Sequence, residues 1–248
     1  FFYRLGGTMF IKEYQIKVVL PSEIFNKYKM DTIAYLDIEA TGFDMEDDKI
    51  VLISLGYYLN KDEFKIVQFF AESPSEEESI LKELKKSMGR FKRWCSYNGT
   101  AFDEPFIIRK MYRYNLGFRL PREHIDLFRI IRPFHKRMGI KNCSLKSVEQ
   151  FTGIHRKDEI NGAMWVEIYD EYLVKDDEKL KQILMLHNYE DVVNLPKIFK
   201  VINVIDNELD LLRKEKLAKK QMALMKSNRN IKQRSEERRV GKECMESV

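Results

Sequence analysis

Leu36-Asp-Ile-Glu-Ala-Thr-Gly42 closes an apolar run and predicts the end of a buried β-strand. Its two carboxylates, Asp37 and Glu39, are two positions apart, so both side chains project to the same side of the strand. Two carboxylates held together in this way repel each other unless a cation neutralises them. The chain has four Asp-x-Glu pairs, but only this one lies in a predicted buried strand. The alternative is a pair of solvated turn residues.

The segments that follow this strand predict an α/β domain. Residues 50–58 and 64–70 are apolar runs joined by a short polar link, which is typical of antiparallel strands. Two more strands are predicted at residues 94–97 and just before Asp126. The predicted helices cover residues 76–88, 104–114, 144–151 and 177–195. The last of them is expected to end at Pro196, because proline interrupts the helical hydrogen bonds. Three hairpin-linked strands followed by alternating helices and strands indicate a layered α/β fold.

The composition of the 248-residue chain is that of a globular protein. Hydrophobic residues make up 44% and charged residues 33%, which is enough for a core and excludes global disorder. No segment approaches the roughly 20 apolar residues of a membrane span, and no secretory signal is visible. The three cysteines lack metal-binding spacing: Cys95, Cys143 and Cys244. We therefore expect a cytoplasmic protein without a disulfide framework or membrane contact.

The chain divides into a core domain and appendages. Residues 31–205 carry the predicted strands and helices. Before them lies an N-terminal extension, residues 1–30, in which Phe1–Thr8 are expected to be non-native. Residues 206–233 predict a basic helical tail that could pack on the domain, bind a partner or lead into a second domain. Residues 234–248 include eleven residues that resemble the translation of a sequencing adapter, so we expect this segment to be an artefact.

Charge is unevenly distributed along the core domain. Residues 31–80 contain 13 acidic and three basic residues, a balance of −10, whereas residues 81–150 contain 17 basic and six acidic residues, a balance of +11. An acidic stretch followed by a basic one suits a site where carboxylates hold metal ions and Lys or Arg hold a polyanion. The alternative is that both stretches are solvated faces.

Two further acidic positions are candidates for the same site. Asp103 precedes Glu104-Pro105, and on local sequence alone it is best explained as a helix N-cap, which does not exclude a second role. Asp191 and His187 interrupt an apolar stripe of the last predicted helix. That stripe consists of Leu180, Leu184, His187, Asp191 and Leu195. Buried polar groups are costly without partners, so this pair is either functional or a satisfied His–Asp pair.

Together these residues resemble the DEDD 3′→5′ exonucleases of the ribonuclease H-like superfamily. The family combines Asp-x-Glu on a strand, Asn-x-x-x-Phe/Tyr-Asp, and a Tyr or His shortly before a final Asp. The matching positions here are Asp37 and Glu39, Asn98 to Asp103, and His187 with Asp191. The resemblance implies an α/β ribonuclease H-like fold with a central mixed sheet whose first three strands are antiparallel and flanked by helices.

A finer resemblance, over about residues 31–200, is to the YprB-type branch of ribonuclease H-like proteins. The matching motifs are Tyr97-Asn-Gly99, Phe102-Asp-x-Pro-Phe106, Ile125-Asp-Leu127, Ser144-Leu-x-x-Val-Glu149, Gly153-Ile-x-Arg156 and His187-Asn-x-x-Asp191. One departure concerns the third DEDD motif. The family has Tyr with three residues before Asp, or His with four, whereas this chain has His with three. Helical geometry still places His187 one turn before Asp191.

The resemblance implies a metal-dependent reaction. Two divalent ions, Mg²⁺ or Mn²⁺, would be held by four carboxylates: Asp37, Glu39, Asp103 and Asp191. Oxygen ligands with room for water suit both ions. His187 would orient or deprotonate the attacking water, since the pKa of histidine lies near working pH.

The implied substrate is the end of a nucleic acid strand, DNA or RNA, most simply a single strand. Thr41 and Asn98 would contact the terminal nucleotide, and Arg156 would hold backbone phosphates together with the basic residues of the 81–150 stretch. The alternative function is a catalytically silent ribonuclease H-like module that binds nucleic acid or a protein partner. The intact set of carboxylates favours the enzyme.

Overall fold

The structure, a computed structural model, has two compact units: Phe1–Ile202 and Asn203–Val248. It describes the backbone of residues 2–4 and 9–245 and the side chains of residues 9–226. The candidate site lies entirely within the first unit.

A mixed β-sheet forms the centre of the first unit. Its seven strands in the described backbone are β1 (Phe2–Arg4), β2 (Phe10–Lys17), β3 (Ile33–Ala40), β4 (Ile50–Tyr58), β5 (Glu63–Phe70), β6 (Arg93–Ser96) and β7 (Glu123–Asp126). Their order across the sheet is β1-β2-β5-β4-β3-β6-β7. In this order, each neighbouring pair from β1 through β2, β5 and β4 to β3 is antiparallel. Strand β6 pairs in parallel with both β3 and β7. The predicted mixed sheet with three antiparallel strands, here β3 to β5, is confirmed.

Strand β2 lies in the segment predicted to be an N-terminal extension. It pairs with β5 along its whole length, from Phe10 opposite Phe70 to Lys17 opposite Glu63. Only Ile11 of this strand is buried, so the segment lacks the continuous apolar run that marks the central strands. Part of the predicted extension therefore belongs to the sheet.

Seven helices flank the sheet in the described backbone. They are α1 (Ser22–Tyr28), α2 (Glu77–Met88), α3 (Asp103–Arg113), α4 (Leu127–Ile131), α5 (Leu145–Phe151), α6 (Gly162–Lys175) and α7 (Glu178–Met245). Helix α6 was not predicted from the sequence. It buries Trp165, Tyr169 and Tyr172, and the Asn161 side chain caps its first turn.

Helix α7 passes through Pro196, so the predicted helix end at this residue was wrong. Proline inside a helix removes a backbone hydrogen bond and costs about 3 kcal/mol. Leu195, Ile198 and Phe199, on either side of it, are almost completely buried. Burial of each such side chain contributes about 1.5–3 kcal/mol, so packing outweighs the cost of the proline.

The second unit contains the rest of α7. Its large apolar side chains from Leu211 to Met225 are exposed. The adapter-like segment, residues 234–248, lies outside the described side chains, and the three roles considered for the tail remain predictions. None of the helices in the described part of the chain is both long and apolar enough to cross a bilayer.

Candidate active site

A cleft of about 430 Å³ brings together the acidic residues that the sequence singled out, although Asp191 lies 154 positions after Asp37. Strand β3, the start of α3 and the middle of α7 supply them. We call them the cleft carboxylates: Asp37, Glu39, Asp103 and Asp191. His187 also lines the cleft.

Asp37 is held by a row of polar groups that crosses the buried side of the sheet. Asn188 of α7 donates its side-chain N–H to Oδ2 of Asp37 at 2.6 Å and accepts a hydrogen bond from the Ser54 hydroxyl. Gln68 donates to Ser54 Oγ at 2.9 Å and accepts from the hydroxyl of Tyr14 at 3.0 Å. This row, from Tyr14 to Asp37, is called the polar chain below. It links β2, β5, β4 and α7 to the carboxylate on β3.

Asp103 is the first residue of α3, and its interpretation as an N-cap was wrong. Phe102 occupies the cap position, with no side-chain hydrogen bond to the first turn. The carboxylate of Asp103 instead accepts the backbone N–H of Ile38 at 3.1 Å. This bond crosses from the helix to the strand that carries Asp37 and Glu39, so it holds the two elements of the site together.

The loop before Asp103 is shaped by Asp126, at the end of β7. Its two carboxylate oxygens accept the backbone N–H groups of Asn98 at 2.9 Å and Thr100 at 3.1 Å. Asn98 adopts a positive φ of 63°, and its side chain lines the cleft. At Gly99 an added Cβ would lie 2.1 Å from Oγ of Ser96, so only glycine fits at this point of the loop.

Burial and mutual repulsion raise the pKa values of three cleft carboxylates, Asp37, Glu39 and Asp103. Burial is the largest cause that raises the pKa of Asp37 well above its usual value, and the neighbouring carboxylates add to it. Burial likewise raises the pKa of Glu39 to about 8 and the pKa of Asp103 to about 7. Among the side chains that the structure describes, Asp191 is the one cleft carboxylate that forms an ion pair with a Lys or Arg. The cleft therefore suits a positively charged ligand.

His187 contacts two acidic groups with its two ring nitrogens. Nδ1 lies 2.7 Å from Oδ2 of Asp158. Nε2 faces the cleft, 3.5 Å from Oδ2 of Asp191 and 3.8 Å from Oε1 of Glu39. Burial lowers the pKa of His187, but the hydrogen bond to Asp158 and the nearby carboxylates outweigh burial and raise the pKa above its usual value.

Arg156 does not face the cleft opening, although the sequence predicted that it contacts backbone phosphates. Its side chain is only 6% exposed. Nη1 donates to Oδ1 of Asp191 at 2.5 Å and to Oε1 of Glu149 at 3.2 Å, and Nη2 donates to Oδ2 of Asp158 at 3.0 Å. A guanidinium enclosed by carboxylates is not accessible to a phosphate, so this placement does not support the prediction.

The acidic residues around this guanidinium form a second set. Glu190 completes it, with Oε2 at 3.6 Å from Nε of Arg156. We call it the arginine cluster: Arg156, Glu149, Asp158 and Glu190. Arg156 also forms an ion pair with Asp191, which is one of the cleft carboxylates.

Thr41, the other residue predicted to contact a nucleotide, lies in the turn after β3 and not in the lining of the cleft. Its hydroxyl donates to Oδ1 of Asp48 at 3.0 Å and accepts the backbone N–H of Lys49 at 3.0 Å. These bonds close the turn that follows Asp37 and Glu39. Thr41 therefore shapes the strand end in this structure.

Three residues of the site carried no recognised role in the sequence. Phe43 is 80% exposed at the cleft, and its ring packs edge-on against Phe102. Its only signal is its position directly after Thr-Gly at the strand end. Asn188 lies within a recognised motif, but its contact with Asp37 depends on the tertiary fold. Asp158 belongs to no motif, and nothing in the sequence indicates that it faces His187.

The donor set of the cleft fits divalent metal ions. Glu39, His187 and Asp191 each offer a ligand atom, and these atoms all lie within 4.8 Å of one another. Asp37 and Asp103 add further carboxylate oxygens in the same cleft. Clustered carboxylates suit hard ions such as Mg²⁺ and Mn²⁺, and a cation would offset their mutual repulsion.

A sequence model of the RNase_H superfamily matches residues 34–203, which is more than half of the chain and includes every cleft carboxylate. The chain therefore belongs to the RNase_H superfamily, and its fold is ribonuclease H-like, as the sequence predicted. A comparison with curated proteins finds no match.

Two solved structures are similar to this chain at low sequence identity. Exonuclease I is 14% identical, with a TM-score of 0.39, over 62% of this chain and 43% of its own. NrnC of Brucella melitensis is 15% identical, with a TM-score of 0.32, over 76% of this chain and 88% of its own. The chain thus spans less than half of the length of the exonuclease I that it matches.

Proposed function

We propose that this protein is a metal-dependent 3′→5′ exonuclease of the DEDD type that hydrolyses phosphodiester bonds of single-stranded nucleic acid. The observation that carries the proposal is the convergence of four carboxylates from three elements in one open cleft, at an electrostatic cost that divalent ions would relieve. Membership of the RNase_H superfamily supports a nuclease. The short motifs shared with YprB-type proteins support that branch.

The proposed mechanism assigns each side chain a separate task. The cleft carboxylates would hold two ions, Mg²⁺ or Mn²⁺. Such ions, when bound, would supply activation of the attacking water and stabilisation of the leaving oxygen. His187 turns Nε2 towards Glu39 and Asp191, where a neutral imidazole can orient the water and accept its proton. The hydrogen bonds on Asp37 and Asp103 hold their carboxylates in place before substrate binds.

The walls of the cleft suit an unpaired strand end. The rings of Phe43, Tyr97 and Phe102 line it together with the side chain of Asn98. Aromatic rings stack with unpaired bases of any sequence, whereas bases in a duplex are already stacked on one another. Phe43 presents the most exposed ring of the three, so we assign it the terminal base.

A second candidate function is the silent module, and one contact favours it. Arg156 already pairs with Asp191 at 2.5 Å, so a protein cation neutralises one of the four proposed ligands. If that contact persisted in solution, Asp191 would bind metal weakly and the cleft could bind a strand without cutting it.

The deciding experiment is digestion of 5′-labelled single-stranded DNA and RNA of one sequence, with Mg²⁺ or Mn²⁺. The proposal expects stepwise shortening from the 3′ end, and arrest when that end is chemically blocked. Asp37→Ala and Asp191→Ala should abolish this shortening. Asp31→Ala should not, because Asp31 is an exposed residue just before β3. Binding without shortening would favour the silent module, and cleavage that ignores the block would overturn the exonuclease.

A further inference from the structure

Asp158 is a buried carboxylate that the proposed reaction does not use and that lies outside the cleft lining. It belongs to the loop between α5 and α6, and its side chain is 2% exposed. Oδ1 accepts the backbone N–H of Ile160 at 3.0 Å. Oδ2 accepts from Nη2 of Arg156 at 3.0 Å and lies 3.2 Å from Nζ of Lys146. These contacts fix the carboxylate in one orientation and keep it ionised.

The same oxygen, Oδ2, lies 2.7 Å from Nδ1 of His187. An ionised carboxylate can only accept hydrogen bonds, so Nδ1 must carry the hydrogen. In a neutral imidazole the other nitrogen, Nε2, then keeps a free lone pair. Nε2 is the atom that faces Glu39 and Asp191, and with them the cleft.

We propose that Asp158 is a positioning residue that fixes the tautomer and the ring orientation of His187. It holds the hydrogen on Nδ1 and leaves Nε2 bare towards the cleft carboxylates. A histidine next to Asp191 without this partner is free to place its hydrogen on Nε2 and donate it to a carboxylate. In that form it could accept no proton from water. Carboxylates that orient a histidine from behind have this effect in other enzyme sites.

The contact also gives a reason for the unusual spacing of the third motif. His187 lies one helical turn before Asp191, so its ring is close to the cleft carboxylates and must be prevented from pairing with them through an Nε2 hydrogen. Asp158 supplies the competing acceptor from a different element of the fold. The tautomer is a property of the free protein, whereas the effect on rate rests on the proposed nuclease function.

The first test is nitrogen NMR of protein labelled at histidine, without metal and above the titration of His187. The chain has only four histidines, and His187→Gln identifies the signal of interest. The expected result is hydrogen on Nδ1 in the parent and in Asp158→Asn, which keeps an acceptor, and a rise of the Nε2–H form in Asp158→Ala. Hydrogen on Nε2 in the parent, or an unchanged tautomer in Asp158→Ala, would overturn the proposal. The parent spectrum decides even if a variant fails to fold.

The second test is a double-variant comparison of turnover on single-stranded substrate. Asp158→Ala should lower kcat by about 10–100-fold, the usual effect of losing such a partner, with KM near the parent value. Asp158→Asn should lose less. In the His187→Ala background, Asp158→Ala should cause no further loss, whereas an equal loss there would show that Asp158 acts through another group.

The control for both tests is Glu159→Ala. Glu159 is the exposed carboxylate next to Asp158 in the same loop, so its removal leaves the hydrogen bond between Asp158 and His187 in place. Tautomer and kcat should match the parent, and a loss equal to that of Asp158→Ala would contradict the assignment. A parent protein without any hydrolytic activity would sink the proposed function, while the NMR result would still decide whether Asp158 sets the tautomer.

Discussion

The cleft carboxylates and the arginine cluster place similar numbers of acidic groups close together, but they neutralise them differently. In the arginine cluster the guanidinium of Arg156 contacts every carboxylate of the set. Burial alone would raise the pKa of Asp158, yet the hydrogen bond from His187 and the nearby cations hold that pKa below its usual value. In the cleft, the pKa of Glu39 is raised to about 8.

This difference shows which set of carboxylates has its negative charge neutralised by the protein itself. Burial raises the pKa of Glu149 even within the arginine cluster, yet its carboxylate lies 3.2 Å from the guanidinium of Arg156. Among the described side chains, no Lys or Arg forms an ion pair with Asp37, Glu39 or Asp103. The arginine cluster therefore has its countercharge in the protein, whereas three of the four cleft carboxylates do not. His187 contacts both sets, one with each ring nitrogen, so it connects the arginine cluster to the cleft carboxylates.

The sharpest way to test this connection is His187→Ala. Loss of a positioned general base should lower the rate by roughly 10²–10⁴-fold. His187→Tyr should retain part of the rate, because the Tyr form of the family resembled by the sequence places a hydroxyl at this position. The base must be neutral, so the parent rate should fall on the acid side. The hydrogen bond to Asp158 and the nearby carboxylates raise the pKa of His187 in the metal-free protein, and bound cations would oppose the carboxylates, so the midpoint of the fall reports the balance between them.

The measurements are single-turnover rate and thermal stability on one preparation. If His187 only satisfies hydrogen bonds, His187→Ala will lower the melting temperature while the rate per folded molecule stays within a few-fold of the parent. That outcome would remove His187 from the mechanism and leave the cleft carboxylates as its only assigned groups.

Arg156→Met tests whether the guanidinium stabilises the arginine cluster. Removing the cation leaves buried carboxylates without their partner, which typically costs about 3–5 kcal/mol in the free energy of unfolding. Arg109→Met is the matched control, because Arg109 pairs with Glu46 on the surface, where such pairs contribute about 0–1 kcal/mol. Urea unfolding of both variants measures the difference. Equal losses would mean that Arg156 does not stabilise its cluster.

The pH dependence of stability sharpens the contrast further. Glu39 has a usual value of 4.5 and a folded pKa of about 8, so between these values the folded protein binds more protons than the unfolded chain. Its contribution to stability is therefore present at low pH and is lost progressively as pH rises to about 8. Metal-free protein should melt at a lower temperature at the alkaline end of this window, and Mn²⁺ should restore the melting temperature there most strongly.

Asp37→Asn serves as the control for this effect. It removes one of the mutually repelling charges, so the metal-free variant should be less sensitive to alkaline pH than the parent, while its nuclease activity is lost. A stabilisation by Mn²⁺ that is the same at both ends of the pH window would contradict a site whose carboxylates await a cation.

The smallest expected effect concerns the exposed ring of Phe43 at the cleft. It tests whether stacking, and not charge, contributes to binding of a single strand there. Phe43→Ala removes an exposed ring, so the fold should be unaffected. Stacking contributes about 1–3 kcal/mol per base, so KM for a single strand should rise about tenfold while kcat changes little. Tyr112→Ala is the matched control, since Tyr112 is 79% exposed on α3 and does not line the cleft. A similar change in KM for both variants would remove Phe43 from the binding site.

Local sequence patterns predicted the strands from β3 to β7 but not β1 and β2. They also marked Asp37, Glu39, His187 and Asp191, whereas Asp103 was assigned to the site only through the family resemblance. The apolar run before Asp37 marks a central strand, and the interruption of an apolar stripe by His187 and Asp191 marks a helix face with a special environment. Both signals arise because burial of polar groups is costly. They identify unusual positions without showing what lies opposite them.

The remaining features depend on contacts between distant segments. Arg156, a matched position of the family resemblance, was predicted to hold backbone phosphates, but the fold places it among carboxylates. Asp158 looks like an ordinary loop residue until α7 brings His187 within hydrogen-bond distance. The helix continues past Pro196 because its flanking side chains are buried, and tertiary packing of this kind overrides local preference.

The polar chain from Tyr14 to Asp37 has a consequence for folding fidelity. A strand that slips by one residue exchanges its two faces, and in an apolar interface such an error can be tolerated when the swapped side chains are also hydrophobic. Here Gln68 and Ser54 would turn away from Asn188 and lose their hydrogen bonds in a buried environment. The chain therefore penalises misaligned pairings of β4 and β5. The register of β4 and β5 that satisfies these hydrogen bonds is therefore also the register in which Asn188 holds Asp37 in place.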